Sequence, residues 1–180
     1  MADYKKLKPF ILKFEGGFVN DPRDRGGATN KGITIATFRQ FFGASATVDQ
    51  LKNITDAQWD KVFTTGFWKP CAADFITDQH VADIIVDWAW ASGPVNAKKR
   101  VQRALGLTPD GQFGQHTVTV LNTDSSAYIK ILKARFDFID ANIKAYPGNA
   151  AFRKGWERRI TELAASAGID SATIAKLKNN

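Results

Sequence analysis

The residues with the clearest potential for chemistry lie near the start of the chain. Glu15 ends a segment with helical apolar spacing and stands between Phe14 and Phe18. The negative end of the predicted helix dipole and the apolar neighbours both favour the protonated form of this carboxyl group. A carboxylic acid that keeps its proton near neutrality is what cleavage of a glycosidic bond requires as its general acid.

Two aspartates and a threonine follow on a glycine-rich loop. Asp21 and Asp24 stand near Arg23 and Arg25, which favour charged carboxylates, and Thr29 could hold a water molecule or bond to a carboxylate. One neutral and one anionic carboxyl group is the division of labour found in glycosidases. The same residue types also occur in ordinary surface loops, so the residues alone leave a catalytic and a purely structural interpretation open.

The order of motifs in this stretch resembles glycoside hydrolase family 108. Residues 15–34 contain Glu-Gly-Gly-aromatic, then Asn-Asp-Pro, Gly-Gly-x-Thr and Gly-Ile-Thr, in that order. The resemblance implies a lysozyme-like muramidase, which hydrolyses the β-1,4 bond between N-acetylmuramic acid and N-acetylglucosamine in peptidoglycan. It also implies Glu15 as the catalytic acid. The family includes proteins described as secretion activators, and it occurs in bacteria and their phages.

The site is also similar to the Glu, Asp and Thr triad of phage-type lysozymes. That similarity implies Glu15, Asp24 and Thr29 as catalytic residues. The gap between Asp24 and Thr29 is one residue shorter than expected, so Asp21 remains a rival for the second carboxylate. Phe18 stands where relatives more often have tyrosine.

Substrate-binding residues are predicted next to this site and among the tryptophans. Phe18 and Asn20 lie on the loop itself, while Trp68 and Trp90 fall less neatly on apolar stripes and are candidates for stacking on sugar rings. Aromatic residues at helical spacing are more often part of the core, which is the expectation for Trp88 and Trp156.

A second motif lies between residues 101 and 117. Gln102 to Gly106, followed by Asp110 to Gly114 and Thr117, resembles the small helical peptidoglycan-binding module. The alternative is a plain helical corner without a ligand, because the Asp-Gly pair favours a tight turn and Phe113 can anchor it. We weigh the two interpretations as nearly equal.

The elements that position these residues are predicted to be helices. Helical apolar spacing runs through most of the chain, which predicts a mostly α fold with at most a small β-hairpin near residues 18–33. The family resemblance implies that this fold is lysozyme-like. The first helix is expected to begin near Pro9 and to end at a left-handed glycine cap formed by Gly16-Gly17. Thr55 with Gln58 forms a capping-box pattern, and Asp78 and Asn149 are each expected to cap a helix. The break at Gly93-Pro94 suggests a catalytic lobe, 1–92, and a peptidoglycan-binding-like lobe, 93–180, packed as one globule.

Composition excludes several classes of protein. The 180 residues are 44% apolar, which suits a folded domain, and one cysteine with two histidines argues against a disulfide framework or a His/Cys metal site. We therefore expect no cofactor and no metal. Residues 27–34 nearly fit a phosphate loop, but Ile33 stands where the loop needs lysine.

The net charge and the apolar segments of the chain indicate which partner it binds and where it acts. The net charge of +7 favours a polyanion: nucleic acid, anionic lipid or acidic wall polymer. No apolar stretch resembles a signal peptide or a membrane span. We expect synthesis in the cytoplasm, no stable insertion into a membrane, and action on the wall after lysis or after export through a holin or a secretion system, as for an endolysin.

The leading hypothesis from the sequence is a peptidoglycan hydrolase with the glycan strand as partner. A non-catalytic peptidoglycan-binding protein is the first alternative. A basic, helical DNA-binding protein is a weaker one, because the basic residues are spread over several helices instead of clustering on one. We therefore expect no nucleic-acid partner.

Overall fold

The computed structural model describes residues 1–21 and 27–179, which fall into two compact units. The first unit is Asp3–Lys69, and the second is Met1–Ala2 with Pro70–Asn180. The predicted division at residue 92 falls inside the second unit, between two successive helices, and remains a prediction. The helices are α1 Tyr4–Phe14, α2 Ile35–Phe42, α3 Val48–Lys52, α4 Asp56–Phe63, α5 Gln79–Ser92, α6 Pro94–Ala104, α7 Gln115–Thr123, α8 Ala127–Ala145, α9 Arg153–Ser166 and α10 Ser171–Asn179.

Helix α1 begins before Pro9, contrary to the expectation from the sequence. The side chain of Asp3 accepts a hydrogen bond from the backbone N–H of Lys5 and caps the first turn. Leu7 and Ile11, on either side of the proline, are both buried. Capping and burial therefore hold a helical turn that the proline alone would disfavour.

The predicted hairpin near residues 18–33 is present and small. Strands β1, Thr29–Asn30, and β2, Ile33–Thr34, pair antiparallel through a two-residue turn. Lys31 and Gly32 at the turn have φ angles of +47° and +77°, as a type I′ turn requires. Residues 27–34 therefore form a hairpin rather than a phosphate loop.

Local capping patterns fix the helices that pack behind the hairpin. Thr55 and Gln58 form the predicted capping box of α4, and Thr47 and Gln50 form another one at α3. After α4 the chain continues through a π-helical turn, Thr64–Trp68. The core of this unit includes Phe38, Leu51, Trp59, Val62 and Phe63, all nearly inaccessible to solvent.

The second unit is built around α5. Every residue from Val81 to Ala89 is buried, so this helix is covered on all sides, and it contacts α6 and α8. Asp78 caps it as predicted, by accepting hydrogen bonds from the N–H groups of His80 and Val81. Short 3₁₀ turns, Lys69–Cys71 and Ala73–Phe75, precede it.

The predicted cap at Asn149 is wrong. A 3₁₀ helix covers Pro147–Phe152, and α9 begins only at Arg153. The amide of Asn149 instead donates to Oδ1 of Asn142 at 2.7 Å, so its side chain is engaged with α8.

The mostly α, lysozyme-like fold class is confirmed: helices carry both units, and the short hairpin is the one sheet within the described residues. Within those same residues, no helix is both long enough and apolar enough to cross a membrane.

Candidate active site

Glu15 lies at the end of α1 as its C-cap residue. Its backbone is extended, with φ −90° and ψ 139°, and its side chain is half-buried. Gly16 and Gly17 do not adopt the left-handed conformation that the sequence predicted, since neither has a positive φ. Apart from each glycine and its chain neighbours, no heavy atom lies within 4 Å of the point where a Cβ would stand on either residue. The chain beside Glu15 is therefore open to an approaching ligand.

The loop that follows Glu15 is fastened to the hairpin. The N–H of Val19 donates to the carbonyl of Thr29 at 2.8 Å, and the N–H of Thr29 donates back to the carbonyl of Val19 at 2.8 Å. Residues paired in this way have α-carbons about 5.5 Å apart. Val19 stands four positions after Glu15, a span of about 14 Å at most. The pairing therefore places the loop that follows the predicted acid beside the strand that contains the predicted threonine.

The hairpin is itself clamped from behind by a buried amide. Asn30 is 6% exposed, and its Nδ2 donates to the carbonyls of Leu51 at 3.0 Å and Lys52 at 2.9 Å. The indole N–H of Trp59 donates to the carbonyl of Lys31 at 3.1 Å. Both contacts hold the hairpin against α3 and α4. Sequence reasoning missed them, because their partners lie more than 20 residues away.

The remaining loop candidates differ in exposure. Phe18 is half-buried, and its ring centroid lies 5.7 Å from Nζ of Lys52. Asn20 is exposed, while Asp21 and Thr29 are half-buried. Each of these side chains is at least partly accessible to a substrate.

Asp24, the second-carboxylate candidate implied by the resemblance, lies outside the described residues. The whole stretch from Pro22 to Gly26 lies outside them. The choice between Asp21 and Asp24 therefore stays open.

The two tryptophans proposed for sugar stacking have different environments. Trp68 is 1% exposed, and its ring meets the ring of Tyr4 edge-on with centroids 6.3 Å apart. Its side chain is buried in the core of this unit, contrary to the exposure that stacking on a sugar ring requires. Trp90 is half-buried on α5 in the second unit. Trp88 is in the core, as predicted.

The second motif forms a corner built around one buried glutamine. Nε2 of Gln102 donates to Oδ1 of Asp110 at 2.7 Å and to the carbonyl of Gln112 at 2.9 Å, while its Oε1 accepts from the N–H of Gly111 at 2.8 Å. Gly111 has φ +79°, and a Cβ there would lie 3.2 Å from the side chain of Lys99. Hydrogen bonds from Gln112 and Gln102 lower the pKa of Asp110. Each motif residue named here has a structural task.

Comparison with known proteins confirms the family resemblance over the first half of the chain. Residues 8–93 match the sequence model of the family described as Glycosyl hydrolase 108. That segment contains Glu15 and no other glutamate. The matched segment therefore includes the candidate acid.

A solved structure, that of SagA from Brucella abortus, is similar over nearly the whole chain. The sequences are 27% identical, the TM-score is 0.76, and the match covers 98% of this chain and 96% of SagA. No curated protein matches the chain. The resemblance of residues 93–180 to a peptidoglycan-binding module stays a prediction.

Proposed function

We propose that this protein is an N-acetylmuramidase that hydrolyses the β-1,4 bond between N-acetylmuramic acid and N-acetylglucosamine in the glycan strands of peptidoglycan. The observation that carries the proposal is the paired backbone of Val19 and Thr29, which brings the loop after Glu15 onto the hairpin. The match of residues 8–93 to a glycoside hydrolase family supports the reaction class.

In the proposed mechanism Glu15 is the general acid. Its carboxyl proton passes to the glycosidic oxygen as the bond to the sugar carbon breaks, so that the leaving sugar departs as a neutral alcohol. Glu15 is half-buried at the end of α1, and the open glycines beside it leave room for the glycan strand.

A second carboxylate, from Asp21 or Asp24, completes the proposed chemistry. It stabilises the positive charge on the sugar ring or activates the attacking water, and the hydroxyl of Thr29 orients that water. A separation of roughly 6.5–9.5 Å between the carboxyl groups favours inversion, and one of roughly 5–5.5 Å favours retention. Phe18 and Asn20, on the same loop, are proposed to contact the sugar.

The proposed place of action is the cell wall. A muramidase made in the cytoplasm reaches its substrate after lysis or through a holin or secretion system, which is consistent with a lysin or a secretion activator. The net charge of +7 favours adsorption to an anionic wall.

Clearing of a peptidoglycan suspension tests the proposal. The purified chain is expected to lower the turbidity, whereas a protein that only binds peptidoglycan would sediment with the wall and leave the turbidity unchanged. Asp21→Asn and Asp24→Asn, measured in parallel, identify the second carboxylate as the one whose loss lowers the rate by about 10²-fold or more. The anomeric form of the first product then reports inversion or retention.

A further inference from the structure

A cavity in the second unit lies outside every residue assigned to the proposed reaction. Its volume is about 300 Å³, at the lower end of the range for small-molecule pockets. It is formed between α5, α8 and α9, all of which belong to the second unit. Its walls are mainly aromatic and aliphatic side chains, namely Trp88, Phe138, Ile139, Trp156 and Ile160.

The charged side chains that line this cavity are both arginines. Arg135 and Arg159 contribute to its wall, and no carboxylate does so among the described residues. Both guanidinium groups also contact Asp87, which is fully buried on α5: Arg135 at 2.8 Å and Arg159 at 2.9 Å. These two contacts hold both guanidinium groups against the carboxylate of Asp87.

Arg135, which lines the cavity, has a donor without an acceptor within the described part of the chain. Arg135 is 4% exposed; its Nη2 donates to Asp87 and its Nη1 donates to the carbonyl of Ile84, but its Nε is buried without a partner. A buried N–H without an acceptor destabilises the folded chain, and a charged donor does so more strongly than a neutral one. An acceptor from a ligand would remove that cost.

We propose that this cavity binds a small carboxylate attached to an apolar or aromatic body. The carboxylate would accept hydrogen bonds from the guanidinium groups, and guanidinium favours carboxylate through its planar set of donors. The body of the ligand would lie against Trp88, Phe138 and Trp156. The ring of Trp156 already stacks on Phe152, which is 57% exposed, so the aromatic wall extends to the surface.

Both a free aromatic acid and the terminal carboxylate of a short peptide have this chemistry. Phenylacetate represents the free aromatic acid, and N-acetyl-D-alanyl-D-alanine represents the peptide carboxylate. Calorimetric titration with each compound shows which of the two binds more tightly. In each case the corresponding amide is the control, since it has nearly the same shape without the charge. We expect saturable one-to-one binding of a carboxylate, with the amide weaker by at least about tenfold.

A variant that fills the cavity without touching the ion pairs gives a second test. Ala91 is exposed on α5 and lines the cavity, so Ala91→Phe is expected to weaken binding of the preferred carboxylate by at least about tenfold. Ala165→Phe, at an exposed alanine of α9 outside the cavity, is the matched control and should bind as the unmodified chain does.

Three outcomes would overturn the proposal. These are no saturation by either carboxylate up to about 10 mM, equal binding of acid and amide, or equal binding by the Ala91→Phe and Ala165→Phe variants. All of these are binding measurements on a site remote in sequence from Glu15, so they are independent of whether wall hydrolysis is observed.

Discussion

Val19 and Thr29 exchange both of their backbone hydrogen bonds, each at 2.8 Å. This single pair turns a loop that follows a helix into one edge of a hairpin. It holds the loop that follows Glu15, at the end of α1, beside β1, which contains Thr29, 14 positions later in the chain. The proposed site depends on this pairing more than on any side-chain contact around it.

Replacing Val19 by proline tests the dependence. Val19→Pro removes the N–H that donates to Thr29, while the side chain contributes little packing because Val19 is 57% exposed. We expect wall clearing to fall by about 10²-fold, since small displacements of catalytic groups have effects of this size. Val19→Ala keeps the N–H and should retain most of the activity. Equal activities of the two variants would show that the pairing does not position the site.

Asn30 is expected to be essential for the stability of the hairpin. Asn30→Asp exchanges a buried donor for a carboxylate that faces the carbonyls of Leu51 and Lys52, and we expect the free energy of unfolding to drop by about 2–3 kcal/mol. Asn53→Asp is the matched control, because Asn53 makes a similar bond to the carbonyl of Asp49 at an exposed position. Urea unfolding measures both variants. A loss at position 53 as large as that at position 30 would contradict the assignment.

Because Asp83 is buried, we expect the stability of the chain to depend on pH. Burial raises the pKa of Asp83 to about 6, although the hydrogen bond from Gln79 opposes the shift. Between about pH 4 and pH 6 the folded chain therefore keeps a proton that the unfolded chain has lost. The contribution of Asp83 to the free energy of unfolding falls as the pH rises through this window and is constant above it.

Asp83→Asn should remove this dependence and raise the free energy of unfolding at pH 7 by about 3 kcal/mol. The asparagine oxygen can still accept the hydrogen bond from Gln79, which the carboxylate accepts at 2.7 Å. Denaturant unfolding at a series of pH values measures the effect, with Asp49→Asn, at an exposed position, as the control. If Asp83→Asn follows the same pH profile as the unmodified chain, Asp83 does not titrate as described.

The parts of the fold that sequence reasoning predicted are those fixed by local contacts. The caps at Thr55 and Asp78 bond to backbone N–H groups two or three residues away, so their motifs are visible in the sequence. The Asn149 prediction failed because that side chain bonds to Asn142, on the preceding helix. The start of α1 was misplaced because burial of Leu7 and Ile11 outweighs the intrinsic effect of Pro9.

The candidate site, too, was predictable where it depends on residues that are close together in the sequence. Its order along the chain, from Glu15 to Thr34, was visible as a motif, and the family match covers that stretch. The clamp formed by Asn30 was invisible, because nothing near it in sequence indicates that the carbonyls of α3 lie within reach. Trp68 is buried although its irregular spacing in the sequence suggests exposure, and it lies in a π-helical turn, which α-helical periodicity does not predict.

The proposed function depends above all on Glu15 as the donor of the proton that allows cleavage of the β-1,4 bond between N-acetylmuramic acid and N-acetylglucosamine. The most direct measurement is the rate at which new reducing ends of N-acetylmuramic acid appear in purified peptidoglycan. Glu15→Gln is to be compared with Glu162→Gln, the same exchange on α9. The account predicts that Glu15→Gln lowers this rate by about 10³-fold or more with an unchanged fold, while Glu162→Gln stays near the unmodified rate. Undiminished release of these ends by Glu15→Gln would contradict it.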